Sequence, residues 1–165
     1  MQLGKLLLPS QRTHVLTCDQ SPGETLPPFA KPTHGEPGSG LPAFKKIRHY
    51  INDIPPGATH HDTSDRFRDG PRPPFSDDEF AKTLTCSGGV NNYHPSGLRL
   101  YTIRESASLQ TFPISHTFSA DSKTKARRQI GNAVPPLLAR SMYREIIKCL
   151  KEADRLEGSR GGDQI

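Results

Sequence analysis

The sequence predicts an α/β fold in which regular elements are few and irregular chain is abundant. Three observations predict it. Two short stretches, 13–18 and 81–86, are rich in strand-forming residues; the better helix signals appear after residue 100; and the segments between them are heavy in turn residues. Hydrophobic residues make up 32% of the 165 residues, Trp is absent, and there are 16 Pro and 14 Gly. An ordinary globular domain is roughly 45–50% apolar. Either much of the chain is loop, or its apolar faces are covered by something outside it.

The elements follow in chain order. Thr13-His14-Val15-Leu16-Thr17-Cys18 carries β-branched residues and runs into a Ser21-Pro22-Gly23 turn, which predicts a short strand. Residues 21–42 are Pro- and Gly-rich loop. Phe44, Ile47, Ile51 and Ile54 have the spacing of a short amphipathic helix over 43–54, stopped by Pro55-Pro56. Residues 55–82 are polar with few apolar anchors. Residues 81–86 read as a second strand closed by Gly88-Gly89, and 91–97 as a turn cluster.

Thr102-Ile103-Arg104-Glu105 is a capping box: the Thr hydroxyl accepts the third amide while Glu reaches back. It predicts a helix to about residue 110, ending before Phe112-Pro113. A second helix is predicted over 135–150, because Ala139, Met142, Ile146, Cys149 and Leu150 share one helical face. Pro135 and Pro136 suit its first turn, whose amides lack intrahelical partners. After Glu152 the chain is charged and Gly-rich, and disorder is expected over 153–165.

The formal net charge is +5 and the isoelectric point about 9.3. A basic excess suits a polyanion, but Asp and Glu are interleaved with Lys and Arg, so charge alone selects no partner. Cys18, Cys86 and Cys149 are odd in number and form no Cys-x-x-Cys pair, which argues against a disulfide scaffold or a cysteine zinc site and for a reducing compartment. His60-His61 beside Asp62 lacks further ligands at useful spacing, so no metal is expected. The apolar run at 3–8 is too short for a signal sequence or a membrane span, and an intracellular, soluble protein is expected.

Two segments carry a more specific message. The first is His94-Pro95-Ser96-Gly97-Leu98-Arg99-Leu100-Tyr101-Thr102-Ile103-Arg104-Glu105-Ser106-Ala107-Ser108-Leu109-Gln110-Thr111-Phe112-Pro113. The second is Arg128-Gln129-Ile130-Gly131-Asn132-Ala133-Val134-Pro135-Pro136. In this order they resemble the ninth and tenth motifs of the DNA cytosine-5 methyltransferase family. Pro9-Ser10-Gln11-Arg12-Thr13-His14 is similar to the family's eighth motif, Pro-Gln-x-Arg-x-Arg, with Ser10 in place of Gln and His14 in place of the second Arg. Leu26-Pro27-Pro28-Phe29 and Ile54-Pro55-Pro56-Gly57-Ala58 extend the resemblance over most of 9–150. The His-Pro-Ser-Gly-Leu-Arg form is similar to fungal and other eukaryotic members.

The resemblance implies the C-terminal portion of a Rossmann-like, S-adenosylmethionine-dependent methyltransferase domain with a small irregular target-recognition domain. It divides the chain into a methyltransferase remnant at 1–26, a recognition-like region at 27–97, the last two motifs with the C-terminal helix at 98–152, and a tail at 153–165. In the family a Cys thiolate that follows Pro adds to C6 of a flipped cytosine, and C5 then takes the methyl group. Cys18 follows Thr17, Cys86 follows Thr85 and Cys149 follows Lys148, so none matches. No Phe-x-Gly-x-Gly loop and no Glu-Asn-Val is present either. The N-terminal catalytic half is therefore expected to be missing and the chain to be inactive alone. The alternatives are a non-catalytic DNA-binding or regulatory relic and one half of a split enzyme.

The resemblance also assigns residues. Asn132, Ala133 and Val134 fall in a segment that lines the S-adenosylmethionine pocket, Ala133 through backbone or packing; spacing suggests a Gly-permitted turn feeding a helix N-terminus. Arg12 matches an active-site Arg. His14 lacks the forked donors of the Arg it replaces. Arg66, Arg68, Arg72 and Lys82 are candidates for DNA phosphate contacts. Arg99 either touches phosphate or pins the join between regions, and Arg104 with Glu105 reads as an ion pair or cap. The partners implied are DNA and the missing N-terminal half or a full-length methyltransferase, with no membrane. The location implied is the nucleus in a eukaryote and the cytoplasm otherwise.

Overall fold

The computed structural model describes residues 27–86 and 92–160. The predicted strand at 13–18, Arg12, His14 and Cys18 lie outside the described residues. Within them the regular elements are four helices: α1 (Arg48–Ile51), α2 (Ile103–Leu109), α3 (Lys123–Asn132) and α4 (Pro136–Arg160). Two isolated bridges, Gly35 with Ala43 and Tyr93 with Leu100, are the β-structure seen among the described residues.

The helix expected over 43–54 shrinks to a single turn, α1. Its entry amides are taken elsewhere: Ile47 N–H donates to the Glu79 carbonyl and Arg48 N–H to Asp77, each at 3.0 Å. The apolar spacing still does its work, since Ile47, Ile51 and Ile54 are all buried. The strand expected at 81–86 is not formed. Among the described residues no neighbouring strand offers it a ladder. The Asn92 carboxamide takes that place instead, donating to the Thr83 carbonyl at 3.0 Å and accepting the Thr85 N–H at 2.8 Å. Leu84 is buried between them.

α2 forms as its capping box predicts. The Thr102 hydroxyl accepts the Glu105 N–H at 3.0 Å and the Glu105 carboxylate accepts the Thr102 N–H at 2.8 Å. Residues 103–108 are all buried, which marks α2 as a core helix, not a surface one. On one side Ile103 and Ala107 pack with Phe118, Ala126 and Ile130. On the other, Tyr101 packs with Ile47, Ile51 and Leu84, flanked by Leu109 and Phe75. Residues from 47–84 and from 101–109 thus share one core.

Polar groups buried around α2 lock it in place. Arg99 forks onto Glu105 through two hydrogen bonds of 2.7 and 2.8 Å, and the two residues are 8% and 2% exposed. Burial pushes the Glu105 carboxyl up, but the hydrogen bonds from Arg99 and Thr102 outweigh it and hold the group below its ordinary value. Burial and the adjacent Arg99 push the His94 imidazole down, so its 3.9 Å approach to Glu105 is not a charged pair at neutral pH. The expected partnership of Arg104 with Glu105 is corrected: Arg104, fully buried, donates instead to the carbonyls of Thr59, Pro113 and His116. It thereby staples two loops to α2. His60 sits in the left-handed region at φ 65. Its carbonyl accepts the Arg104 N–H and its ring accepts the Phe118 N–H, which holds it there.

Two glycines permit close approaches between segments. A Cβ on Gly97, whose φ is +72, would stand 2.1 Å from the Arg72 carbonyl oxygen, so the 91–97 turn docks directly on 72–75. A Cβ on Gly131 would stand 2.8 Å from both the Cα and N of Cys86. Gly131 therefore lets the 83–86 segment lie against the end of α3.

α3 was not foreseen. Ser122 caps it by accepting the Lys125 N–H at 3.2 Å, and Ala126 and Ile130 form its buried stripe. α4 starts where expected but continues to Arg160, well past Leu150. The charged residues beyond 150 support helix, as in the Arg155–Glu152 pair at 2.7 Å, so residues 153–160 are helical where disorder was expected, and 161–165 lie outside the described residues. α4 packs against none of the other three helices. Tyr143 and Leu150 are 63% and 59% exposed.

Two measurements test this packing. Glu105→Gln should lower the unfolding free energy by about 3–5 kcal/mol in urea melts, since it leaves the Arg99 guanidinium buried and unmatched. The native carboxyl is depressed, so its contribution is fully present above the unfolded value near pH ~4.3 and is lost as pH falls through the native one. The unsubstituted chain should lose stability over that acid range more steeply than Glu105→Gln. Gly131→Ala should cost about 1–3 kcal/mol. A Gly-to-Ala change in a helix otherwise gains up to about 1 kcal/mol, so a destabilised chain identifies the Cys86 clash as the larger effect.

Candidate functional site

The described candidates fall at two places. The first is the end of α3. Gly131 and Asn132 do not open a helix, as the spacing suggested, but close one: Asn132 is the last residue of α3 and Ala133 its C-cap. Pro135 and Pro136 have no amide hydrogens, and the Ala133 N–H is spent on the Gln129 and Ile130 carbonyls. The Val134 N–H has no hydrogen-bond partner among the described residues. Asn132 is exposed, and its carboxamide oxygen lies 2.7 Å from the Cys86 thiol as acceptor. Its nitrogen end has no partner among the described residues. Val134 exposes 44% of its surface.

This segment is rigidly backed. Gln110 Nε2 donates to the Ile130 carbonyl at 3.2 Å, tying the end of α2 to α3. Thr111 Oγ1 accepts the Leu137 N–H at 3.2 Å, tying the same corner to the start of α4. Phe112 packs on the α2–α3 core beside it. A narrow cleft beside Gly131 is lined by Thr85, Asn92, Tyr101, Ser106 and Arg127, with no carboxylate among its lining. Burial pushes the Arg127 guanidinium down and the Tyr101 phenol up. Arg127 and Cys86 were not singled out from sequence. The one signal for Cys86 was its place just before Gly88-Gly89.

The second place is the basic set at 66–82. Arg66 and Arg68 are exposed, but Arg66 folds back onto the carbonyls of Thr63 and Asp65 at 2.6 and 2.8 Å. Arg72 stacks over Phe67 and Tyr93, 4.6 and 5.7 Å from the ring centres. Lys82 is exposed with its ammonium 6.0 Å from the Phe75 ring. Arg99 does not join this set. It is buried and committed to Glu105, so of its two expected roles the geometry takes the pin and not the phosphate contact. Nor do His60 and His61 share a ligand: His60 serves Phe118 and His61 pairs with the Thr102 hydroxyl at 3.0 Å. The described residues contain no group of three potential metal ligands. No helix among them is long and apolar enough to cross a membrane.

Comparison with known proteins finds relatives over part of the chain. The DNA (cytosine-5)-methyltransferase 2 of Arabidopsis thaliana is 49% identical over 67 residues, covering 41% of this chain and 4% of the relative. The type II methylase M.HgiDII of Herpetosiphon aurantiacus is 41% identical over 81 residues, covering 45% of this chain and 23% of the relative. The type II methyltransferase M.AquIB of Picosynechococcus is 40% identical over 74 residues, covering 39% and 53%. The chain thus spans between 4% and 53% of the length of these relatives. The family model of C-5 cytosine-specific DNA methylases matches residues 26–148. That is most of the sequence, and the chain belongs to the C-5 cytosine-specific DNA methylase family.

Proposed function

We propose that this chain is the C-terminal part of an S-adenosylmethionine-dependent DNA cytosine-5 methyltransferase, inactive alone, which supplies one wall of the cofactor site and a surface that meets DNA. The observation that carries the reading is the end of α3, where the Asn132 carboxamide and Val134 are exposed on a segment backed by α2. A polar carboxamide beside an exposed apolar Val134 fits a ligand with a polar and an apolar end. S-adenosylmethionine, when bound, supplies the electrophilic methyl group. Asn132 and Val134 would hold and orient it, with Ala133 contributing backbone shape. Arg12 would stand at the cytosine ring, with His14 a weaker neighbour than the Arg it replaces.

On the DNA side, Arg68 and Lys82 offer exposed charge for backbone phosphates. Arg66 and Arg72 would act from more constrained positions, Arg72 from its stack on Phe67 and Tyr93. Arg99 would serve these contacts indirectly, by fixing the 91–99 turn to α2. The enzyme's site of action is the cell's DNA: the nucleus in a eukaryote, the cytoplasm otherwise.

A split enzyme, with the nucleophile on a second chain, is the second reading. M.AquIB favours it: the matched 74 residues are already 53% of that relative, so a protein named as a methyltransferase exists at about this chain's size.

Transfer of labelled methyl groups from S-adenosylmethionine to duplex DNA tests both readings. The chain alone should give none. Co-expression with a segment carrying a Gly-rich cofactor loop and a Pro-Cys nucleophile should restore transfer, and methylation by the chain alone would contradict the proposal. In a binding titration, Asn132→Ala should weaken S-adenosylmethionine binding by about tenfold, the loss of one hydrogen bond to a charged group.

A further inference from the structure

We propose that Cys86 is a positioning residue for Asn132: it fixes the orientation of the asparagine side chain so that the carboxamide nitrogen is presented to S-adenosylmethionine. This rests on the cofactor reading of Asn132 given above.

An exposed Asn at the last residue of a helix turns about two side-chain bonds, and a ligand that needs one orientation must bear the cost of ordering it. Here the orientation is set in advance. The Cys86 Sγ lies 2.7 Å from Asn132 Oδ1. In this contact the thiol donates and the carboxamide oxygen accepts, which leaves the nitrogen facing the other way. The thiol is in turn held from three directions. Gly131 admits the backbone of residue 86 to a distance that any side chain would forbid. Leu84 anchors the same segment in the core beside Tyr101. The Asn92 carboxamide grips the backbone at Thr83 and Thr85. Cys86 is therefore the last link of a chain from the recognition-like region to the cofactor segment. Thr85 and not a prolyl residue precedes it, so the role proposed is one of placement and not of nucleophilic attack.

The test is a calorimetric titration with S-adenosylmethionine of the 165-residue chain co-expressed with the segment that carries the Gly-rich loop, comparing Cys86→Ala and Cys86→Ser at matched thermal stability. Cys86→Ala should weaken binding about three- to tenfold, the range of one neutral hydrogen bond. Cys86→Ser, which keeps a donor, should restore most of it. A second readout needs no substitution: in the native chain, S-adenosylmethionine should slow alkylation of Cys86 by iodoacetamide, followed by peptide mass mapping, while Cys149 reacts at an unchanged rate. Wild-type affinity in Cys86→Ala, or equal loss in the Ala and Ser variants, would overturn the positioning role and leave the Asn132 reading standing. Absence of binding by the unsubstituted assembly, with the Gly-rich loop present, would overturn the Asn132 reading and the proposal with it.

Discussion

The carboxylate of Glu105 is the constraint around which the rest of the structure is arranged. It is 2% exposed and satisfied on both oxygens, by the fork of Arg99 and by the Thr102 amide. One group thereby caps α2, anchors the turn that carries Arg99 and fixes the register of residues 99–105. A buried pair of this kind adds little net stability compared with well-packed apolar residues, but removing either member is costly because the other is left charged and buried. That asymmetry makes the pair a specifier of geometry. Arg104, next in the chain, extends the same logic in another direction by collecting three carbonyls from loops with few apolar anchors of their own.

The candidate site inherits its rigidity from this arrangement. The end of α2 passes through Gln110 to the Ile130 carbonyl, and so to Gly131 and Asn132. From the recognition-like side, Leu84 enters the core that holds Tyr101, and Cys86 comes down on Gly131. The two arms meet at one asparagine. α4 stands outside this unit, joined by its first turn and packed on no other helix. Its exposed apolar residues agree with the low apolar content of the sequence: this chain carries hydrophobic surface that its own described residues do not cover.

What was legible in the sequence was local. The capping box at Thr102 needs only its own four residues, and α2 begins where it says. The face of Ala139, Met142 and Ile146 gave α4, but periodicity could not mark its end, because the chain beyond Leu150 stays helical on charged residues with no apolar stripe to count. α3 was missed for the same reason: Ala126 and Ile130 are two apolar residues in a basic decapeptide, and only Ser122 as cap could have announced it. The expected strand at 81–86 failed because a strand is a property of a pair, and its partner here is a side chain, Asn92. At the site, resemblance pointed to Asn132 and Val134, but nothing in the spacing could place Cys86, 46 residues away, against Asn132. Arg99 was legible as a choice between two roles, and burial decided it.

The account's central claim is that α2, locked by Glu105, binds residues 47–86 and the α3 terminus into one cooperative unit from which α4 is separate. Native-state hydrogen exchange on the full chain tests this most directly. The claim predicts that the amides of 105–110 and of 129–131 are the slowest to exchange and share one opening free energy, with residues 140–160 exchanging faster. Amides of α2 that exchange as fast as those of α4, or a slowest set located in α4, would contradict it.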